Sequence, residues 1–397
     1  MPARAANALR LALFWLGIQA VWGALLGISL QSRSLELAGG NALVAYGRLA
    51  TAGALVAAIT QVIVGFWSDS RRRAGSRRIE FYVAGAVVGC AGLALFYSAR
   101  TLVGLTVALL LLQAALNVAI GPYQAIIPDF IEPARTGAAS SWMAALQGAG
   151  NAIGALAASF IVNGRTLAAT LSAMVIGTAA ITVVHVRNLP LRETATPAVP
   201  AQRRAFVDLF ISRALVYVGF YTLLGYLLFY IGGVLGNGDP TTVKRATGIV
   251  IVAFTLLGAV GAGVAAHPSD RLDKRLVATL GGAAFVVALG LFIGSSTLGA
   301  IGVATAVAGL GWGVFLVADW AIACRVLPQN AMAAAMGIWN LAIIGPQIVA
   351  PALTTLVLVQ LKLVNQPGAP RVAFGLALIE TSLGIAWLWR LSRCVIR

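Results

Sequence analysis

The sequence predicts an all-α integral membrane protein with about twelve transmembrane helices in two related six-helix bundles. Three observations predict it: a composition that cannot cover a water-facing surface, apolar runs of membrane length along the whole chain, and paired loops at half-chain spacing. Of 397 residues, 60% are hydrophobic and 10% charged, whereas a soluble domain carries about 25% charged residues. A span needs about 20 mostly apolar residues, and inside lipid each must satisfy its own backbone by forming a helix. A closed barrel would instead show short alternating strands, and no such alternation is present.

The basic start, Met1 to Arg10, leads straight into an apolar run and reads as the approach to a first span, not a cleaved signal. Spans 1 to 6 are expected near residues 11–31, 42–66, 80–98, 102–127, 138–162 and 166–186. Residues 187–206 contain Pro190, Pro197, Pro200 and four arginines, which can build neither a span nor a core. Spans 7 to 12 follow near 212–235, 244–266, 276–294, 298–321, 334–360 and 371–391. The expected organisation is an N-terminal bundle over 1–186, a cytoplasmic linker over 187–210 and a C-terminal bundle over 211–397.

The net charge is +16. In a soluble chain this would suggest a nucleic-acid partner; here the distribution explains it without one. With the N-terminus inside, 20 of the 28 Lys and Arg fall in inside segments. That bias puts both termini in the cytoplasm of a multi-pass protein of the cell (inner) membrane. Cys90, Cys324 and Cys394 lie far apart, with neither a metal nor a disulfide spacing, so no metal or other cofactor is expected.

The two halves repeat each other's loops. After span 2 comes Gly65-Phe-Trp-Ser68-Asp69, then Arg71 to Arg78; after span 8 comes His267-Pro-Ser269-Asp270, then Arg271 to Arg275. After span 4 comes Pro128-Asp129 with Arg135 and, further on, Trp142; after span 10 comes Arg325 with Pro328 and, further on, Trp339. Such half-chain offsets argue for duplication.

These loops resemble the major facilitator superfamily. Its signature between spans 2 and 3 is a Gly, an Asp four residues on, and then bases, matched here by Gly65, Asp69 and Arg71–Arg78; Ser70 stands where the family usually has Arg. The form Gly-x-x-Ser-Asp with a later Gly-x-Arg-Arg is similar to the glycoside–pentoside–hexuronide cation symporters and the sucrose/proton symporters, as is Pro122-Tyr123-Gln124-Ala-Ile-Ile-Pro128-Asp129. The resemblance implies the major facilitator fold and secondary transport of a small solute, sugar-like, by alternating access with a coupling proton or cation, in a monomer.

A carboxylate at the inner end of span 2 can bond a neighbouring helix N-terminus or pair with a base. Gly65, Asp69, Arg77, Arg78, Asp129 and Asp270 are therefore expected to gate the inner face. Arg71 to Arg73 have a plainer reading, fixing topology and touching anionic lipid.

Polar side chains inside spans are costly and mark function. Gln19 and Trp22 lie in span 1, Gln113 and Asn117 in span 4, Gln147 and Asn151 in span 5, Tyr217 and Tyr221 in span 7, and Asn340 and Gln347 in span 11. Amides beside aromatic rings suit polyhydroxy solutes; the same amides also serve as glue between helices. Asp319 and Glu380 are candidate proton carriers, because a carboxyl that protonates avoids much of the cost of burial. Asp319 has an alternative as the partner of Arg325. Gly148, Gly150, Gly154, Gly258, Gly261 and Gly263 would allow close helix contact, and Trp142 and Trp339 would anchor at the interface.

Two other functions compete. An exporter of amphipathic compounds would use the same fold with few mid-span charges, and a sensor or assembly factor would keep the spans without turnover. An enzyme finds little support, since the only histidines are His185 and His267 and neither a His-Glu-x-x-His nor a Gly-x-Ser-x-Gly motif occurs.

Overall fold

The computed structural model describes residues 8–131, 136–190, 203–236, 238–326 and 332–391. Every long element is a helix. In chain order they are α1 (Phe14–Ala24), a π-helical turn (Leu25–Ser29), α2 (Leu30–Ala38), α3 (Ala42–Arg73), α4 (Ile79–Ser98), α5 (Leu102–Tyr123), a short α6 (Ile126–Phe130), α7 (Thr136–Phe160), α8 (Gly164–Arg187), α9 (Arg203–Val234), α10 (Pro240–Arg271), α11 (Lys274–Gly294), α12 (Leu298–Val326), α13 (Met332–Gln360) and α14 (Ala369–Leu388).

Ten stretches of the described residues are long and apolar enough to cross a bilayer. The first, Ala8–Arg73, holds two crossings, because the short 3-10 turn Gly39–Asn41 lies between α2 and α3. With α7, 25 residues long, the twelve expected spans are accounted for.

Several helices run past their apolar cores. α3, α9 and α10 have 32 residues each, about 48 Å at 1.5 Å per residue, against a hydrocarbon thickness of about 30 Å. The polar ends therefore continue as helix. Arg203–Phe210 forms the first turns of α9, and Asp270 lies in the last turn of α10 where a tight turn was expected; its side chain lies outside the described residues. Sequence polarity marks where a span leaves lipid, not where its helix ends. Several starts carry ordinary caps. Thr101 accepts from Gly104 N at 3.1 Å, Asn163 from Arg165 N at 2.9 Å and Asp273 from Arg275 N at 3.0 Å, satisfying amides that the helix leaves open.

The chain divides into two compact units, Met1–Gly39 with Ala52–Ala195, and Gly40–Thr51 with Thr196–Arg397. In the first, α1 packs on α7 and α8, and α4 on α5 and α8. In the second, α9 packs on α13 and α14, and α11 on α12 and α14. These are the same pairings shifted by six spans. A fifth pair also recurs: Gly53 meets the Gln113 side chain between α3 and α5, and Gly261, Gly309 and Gly313 meet backbone between α10 and α12. The duplication read from the loops is thus repeated in the packing.

The seams are built from small residues. A Cβ on Gly150 would stand 2.9 Å from Gln19 Cβ, and one on Gly154 would strike the Ala20 backbone. Gly23 faces the Asn151 backbone in the same seam. In the second unit Gly313 abuts Gly258, and Gly261 abuts Leu310. Gly148 and Gly263, expected in these contacts, have nothing within 4 Å, because they lie on the other faces of their helices.

Candidate functional site

The first unit holds two polar clusters. The inner one is built of amides. Gln19 on α1 donates to Gln147 Oε1 at 3.4 Å, and Asn151 Nδ2 donates to Gln19 Oε1 at 3.2 Å. The four-residue spacing of Gln147 and Asn151 puts both on the α7 face that meets α1. Trp22 is half-buried, one turn further along α1. Separately, Gln61 on α3 donates to Asn117 Oδ1 at 2.6 Å, and Asn117 donates to the Gln113 carbonyl at 2.7 Å. Gln61 has no counterpart in the sequence-based set, although it sits in span 2 with the same chemistry.

The second cluster lies at the basic end of α3. Gly75 (φ +88°) and Arg78 (φ +64°) turn the chain from α3 into α4. Arginine in the left-handed region costs about 1–3 kcal/mol and persists only where its surroundings enforce it. They do so here. Arg78 donates to Asp129 Oδ2 at 2.9 Å and Ser68 Oγ at 2.6 Å, and pairs with Asp69 Oδ1 at 2.9 Å. Arg72 donates to Asp129 Oδ1 at 3.3 Å. Arg72, Arg78 and Asp129 are buried, whereas the Asp69 side chain is 58% exposed. Burial, the largest effect, holds the Asp129 carboxyl above its ordinary range, with Arg78 and Arg72 pulling it down.

Arg72 therefore corrects the plain reading of Arg71–Arg73, because it is buried against Asp129 on α6 and not turned to lipid. Arg77 donates to the Leu189 carbonyl at 3.3 Å. Gly65 has open space where a Cβ would stand, so it is not a close-contact position.

The second unit centres on one ion pair. Arg213 Nη1 on α9 bonds Asp319 Oδ2 on α12, and both side chains are 3% exposed. The guanidinium lies 4.5 Å from the centre of the Trp339 ring and 5.0 Å from that of Tyr217. Its Nη2 is 3.5 Å from the Tyr217 hydroxyl, and its Nε has no hydrogen-bond partner among the described residues. One turn on, the Tyr221 hydroxyl accepts from Gln347 Nε2 at 2.8 Å. Beside Tyr217, Trp312 stacks on Phe220 with centroids 4.4 Å apart at 14°, and Phe254, Phe285 and Phe315 surround it.

This cluster revises two expectations. Asp319 pairs with Arg213 of the neighbouring helix; the side chain of Arg325, offered as its partner, lies outside the described residues. Trp339 is fully buried against Arg213 and Phe206, not an interface anchor. Arg213 is one of the 20 bases counted as inside, and its side chain points into the bundle. Its place among apolar residues, Ser212-Arg213-Ala214-Leu215-Val216, is the one signal that marks it.

Glu380 belongs to a different polar group. It is buried beside Thr222, whose Oγ1 is 3.4 Å from Glu380 Oε2 and 3.4 Å from Thr354 Oγ1. The side chains of Asn340 and Asp270 lie outside the described residues. Among those residues, no three His, Cys, Asp or Glu side chains come together as a metal site.

The Major Facilitator Superfamily pattern matches residues 4–390. The fold is similar to that of a bacterial homologue of the human lysosomal transporter Spinster in its inward-facing and occupied conformation, at 14% identity, covering 99% of this chain and 97% of that one, with a TM-score of 0.77. It is also similar to the nucleoside transporter NupG, at 13% identity, covering 97% of this chain and 98% of that one, with a TM-score of 0.69. No curated protein matches in sequence. With the family pattern running nearly end to end over a duplicated set of membrane-length helices, this chain belongs to the Major Facilitator Superfamily and is a multi-pass membrane transporter.

Proposed function

We propose that the protein is a proton-coupled secondary transporter of a small polar solute, sugar-like in its hydrogen-bonding demands, working by alternating access. The observation that carries this reading is the buried pair of Arg213 and Asp319. Two charges removed from water are an expensive way to hold two helices together, and charged side chains inside spans mark ion or substrate pathways. Protonation of Asp319 would release Arg213, whose donors then need an acceptor. Solute oxygens can supply it, beside the Tyr217 and Tyr221 rings and the Gln347 amide. The amides around Gln19, Gln147 and Asn151 bond one another when no solute competes.

In this reading Asp69, Arg72, Arg78 and Asp129 gate the cytoplasmic face, with both termini inside the cell membrane and one chain as the working unit. The two packed repeats are what a rocking mechanism needs. A second reading, export of amphipathic compounds, draws support from the ring cluster about Trp312.

Proteoliposomes loaded with a pH-sensitive dye separate the two. Hexoses, pentoses, uronic acids and nucleosides are offered in turn, followed by amphipathic cations. Proton entry on addition of one polar solute is the expected result. Proton movement with amphipathic cations alone would favour export, and none with any compound would sink proton coupling.

A further inference from the structure

We propose that Glu380, Thr222 and Thr354 form a sodium site inside the second unit, apart from the Arg213–Asp319 pair and independent of its proposed role. All three side chains are buried, with Thr222 and Thr354 at 0% exposure and Glu380 at 8%. They come from three helices, α9, α13 and α14.

A carboxylate inside a span needs a counter-charge or a proton. No salt bridge to Glu380 is found among the described residues, and its Oε1 has no hydrogen-bond partner there. Arg213 lies nine residues back on α9, about 13.5 Å along the axis, and is held by Asp319. The only groups shown meeting the carboxylate and its threonine are hydroxyls, and they stand off. Thr222 Oγ1 is 3.4 Å from Glu380 Oε2 and 3.4 Å from Thr354 Oγ1, against about 2.7–2.8 Å for an ordinary O–H···O bond.

That spacing fits an ion. An ion of calcium's size sits about 2.3–2.6 Å from its oxygens, so two oxygens at right angles around it stand about 3.4 Å apart; sodium is of that size. One carboxylate with neutral hydroxyls is a hard, all-oxygen set. Its single negative charge is neutralised by a monovalent cation, whereas a divalent one would leave net charge in the bundle.

Nearby oxygen supports the assignment. Thr381 Oγ1 is also buried with no partner among the described residues. It abuts the Cβ position of Gly219, which lies three residues before Thr222 on the same face of α9. A side chain at Gly219 would collide with that oxygen and with the Ala377 carbonyl, 2.7 Å from the Cβ position.

The test is equilibrium binding of radioactive Na+ to the purified full chain in choline chloride, with no solute and no proton gradient. Saturable binding displaced by unlabelled Na+ but not by K+ is expected. Thr222→Val and Glu380→Gln should each weaken it about 10–100-fold, while Thr222→Ser, which keeps the oxygen, should retain it. Thr354→Val serves as a further variant should Glu380→Gln fail to give a monodisperse protein. No saturable binding by the unsubstituted chain would overturn the site, as would binding left unchanged by Thr222→Val and Thr354→Val. Neither outcome bears on solute-driven proton entry, so this inference and the proposed function stand or fall separately.

Discussion

Arg213 and Asp319 are separated by 106 residues in sequence and meet as an ion pair with both side chains 3% exposed. Breaking a buried pair from one side leaves an uncompensated charge and costs about 3–5 kcal/mol, whereas replacing both partners by apolar residues is often neutral. Asp319→Leu alone is therefore expected to lower the melting temperature in detergent sharply, and Arg213→Met with Asp319→Leu to recover most of it. Neither variant should show solute-driven proton entry. A double variant that still moves protons would remove the pair from the mechanism.

Asp129 should matter more for stability than Asp69, although both pair with Arg78. Asp129 is 4% exposed and takes both Arg72 and Arg78, so Asp129→Ala removes the buried carboxylate that two buried guanidiniums share. The loss expected is of the order of 3–5 kcal/mol. The Asp69 side chain is 58% exposed, and Asp69→Ala should cost about 0–1 kcal/mol, as surface pairs do. Thermal unfolding of the two variants side by side checks the order. Equal losses would mean that Asp69 is the structural partner.

The glycine seams give a prediction with built-in controls. Gly154→Val and Gly313→Val place side chains against the backbones of Ala20 and Gly258. Neither chain should elute as a monodisperse species in gel filtration, since overpacking forces backbone shifts. Gly148→Ala and Gly263→Ala meet open space and should elute like the parent chain. If Gly154→Val behaved normally, α1 and α7 could not sit as close as they do.

What was legible beforehand follows from what a one-dimensional pattern carries. Apolar runs fix the number of spans, and the Ser68-Asp69 and Ser269-Asp270 loops fix the repeat. Four-residue spacing correctly put Gln147 with Asn151 and Tyr217 with Tyr221 on shared faces. Spacing along one helix does not say which neighbour that face meets. Thus nearness in sequence offers Arg325 to Asp319, whereas the partner found among the described residues is Arg213 on another helix. Arg72, within a basic run, is read as fixing topology and touching lipid, and Arg213 enters only as one of the 20 inside bases. In each case the decisive fact is a side-chain direction across a helix interface. Gln61 escapes notice because no amide or tyrosine stands three or four residues from it on α3 to mark a polar face.

Gln347 decides between recognition and packing in the second unit. It donates to the Tyr221 hydroxyl at 2.8 Å across α13 and α9. Hydrogen bonds between membrane helices average about 0.6 kcal/mol, so Gln347→Ala should leave the melting temperature nearly unchanged. If the same amide bonds solute, its loss should remove about 0.5–1.5 kcal/mol of binding, which is up to about tenfold in KM. The turnover rate should hold, because the bond is made in the bound state and the transition state alike. Tyr221→Phe removes only the partner hydroxyl and should raise KM less, since the amide remains to meet the solute. Uptake measured over a range of solute concentrations, with melting curves on the same preparations, gives both readouts. A fallen melting temperature with unchanged KM would make the pair helix glue and move the recognition site to the amides of Gln19, Gln147 and Asn151.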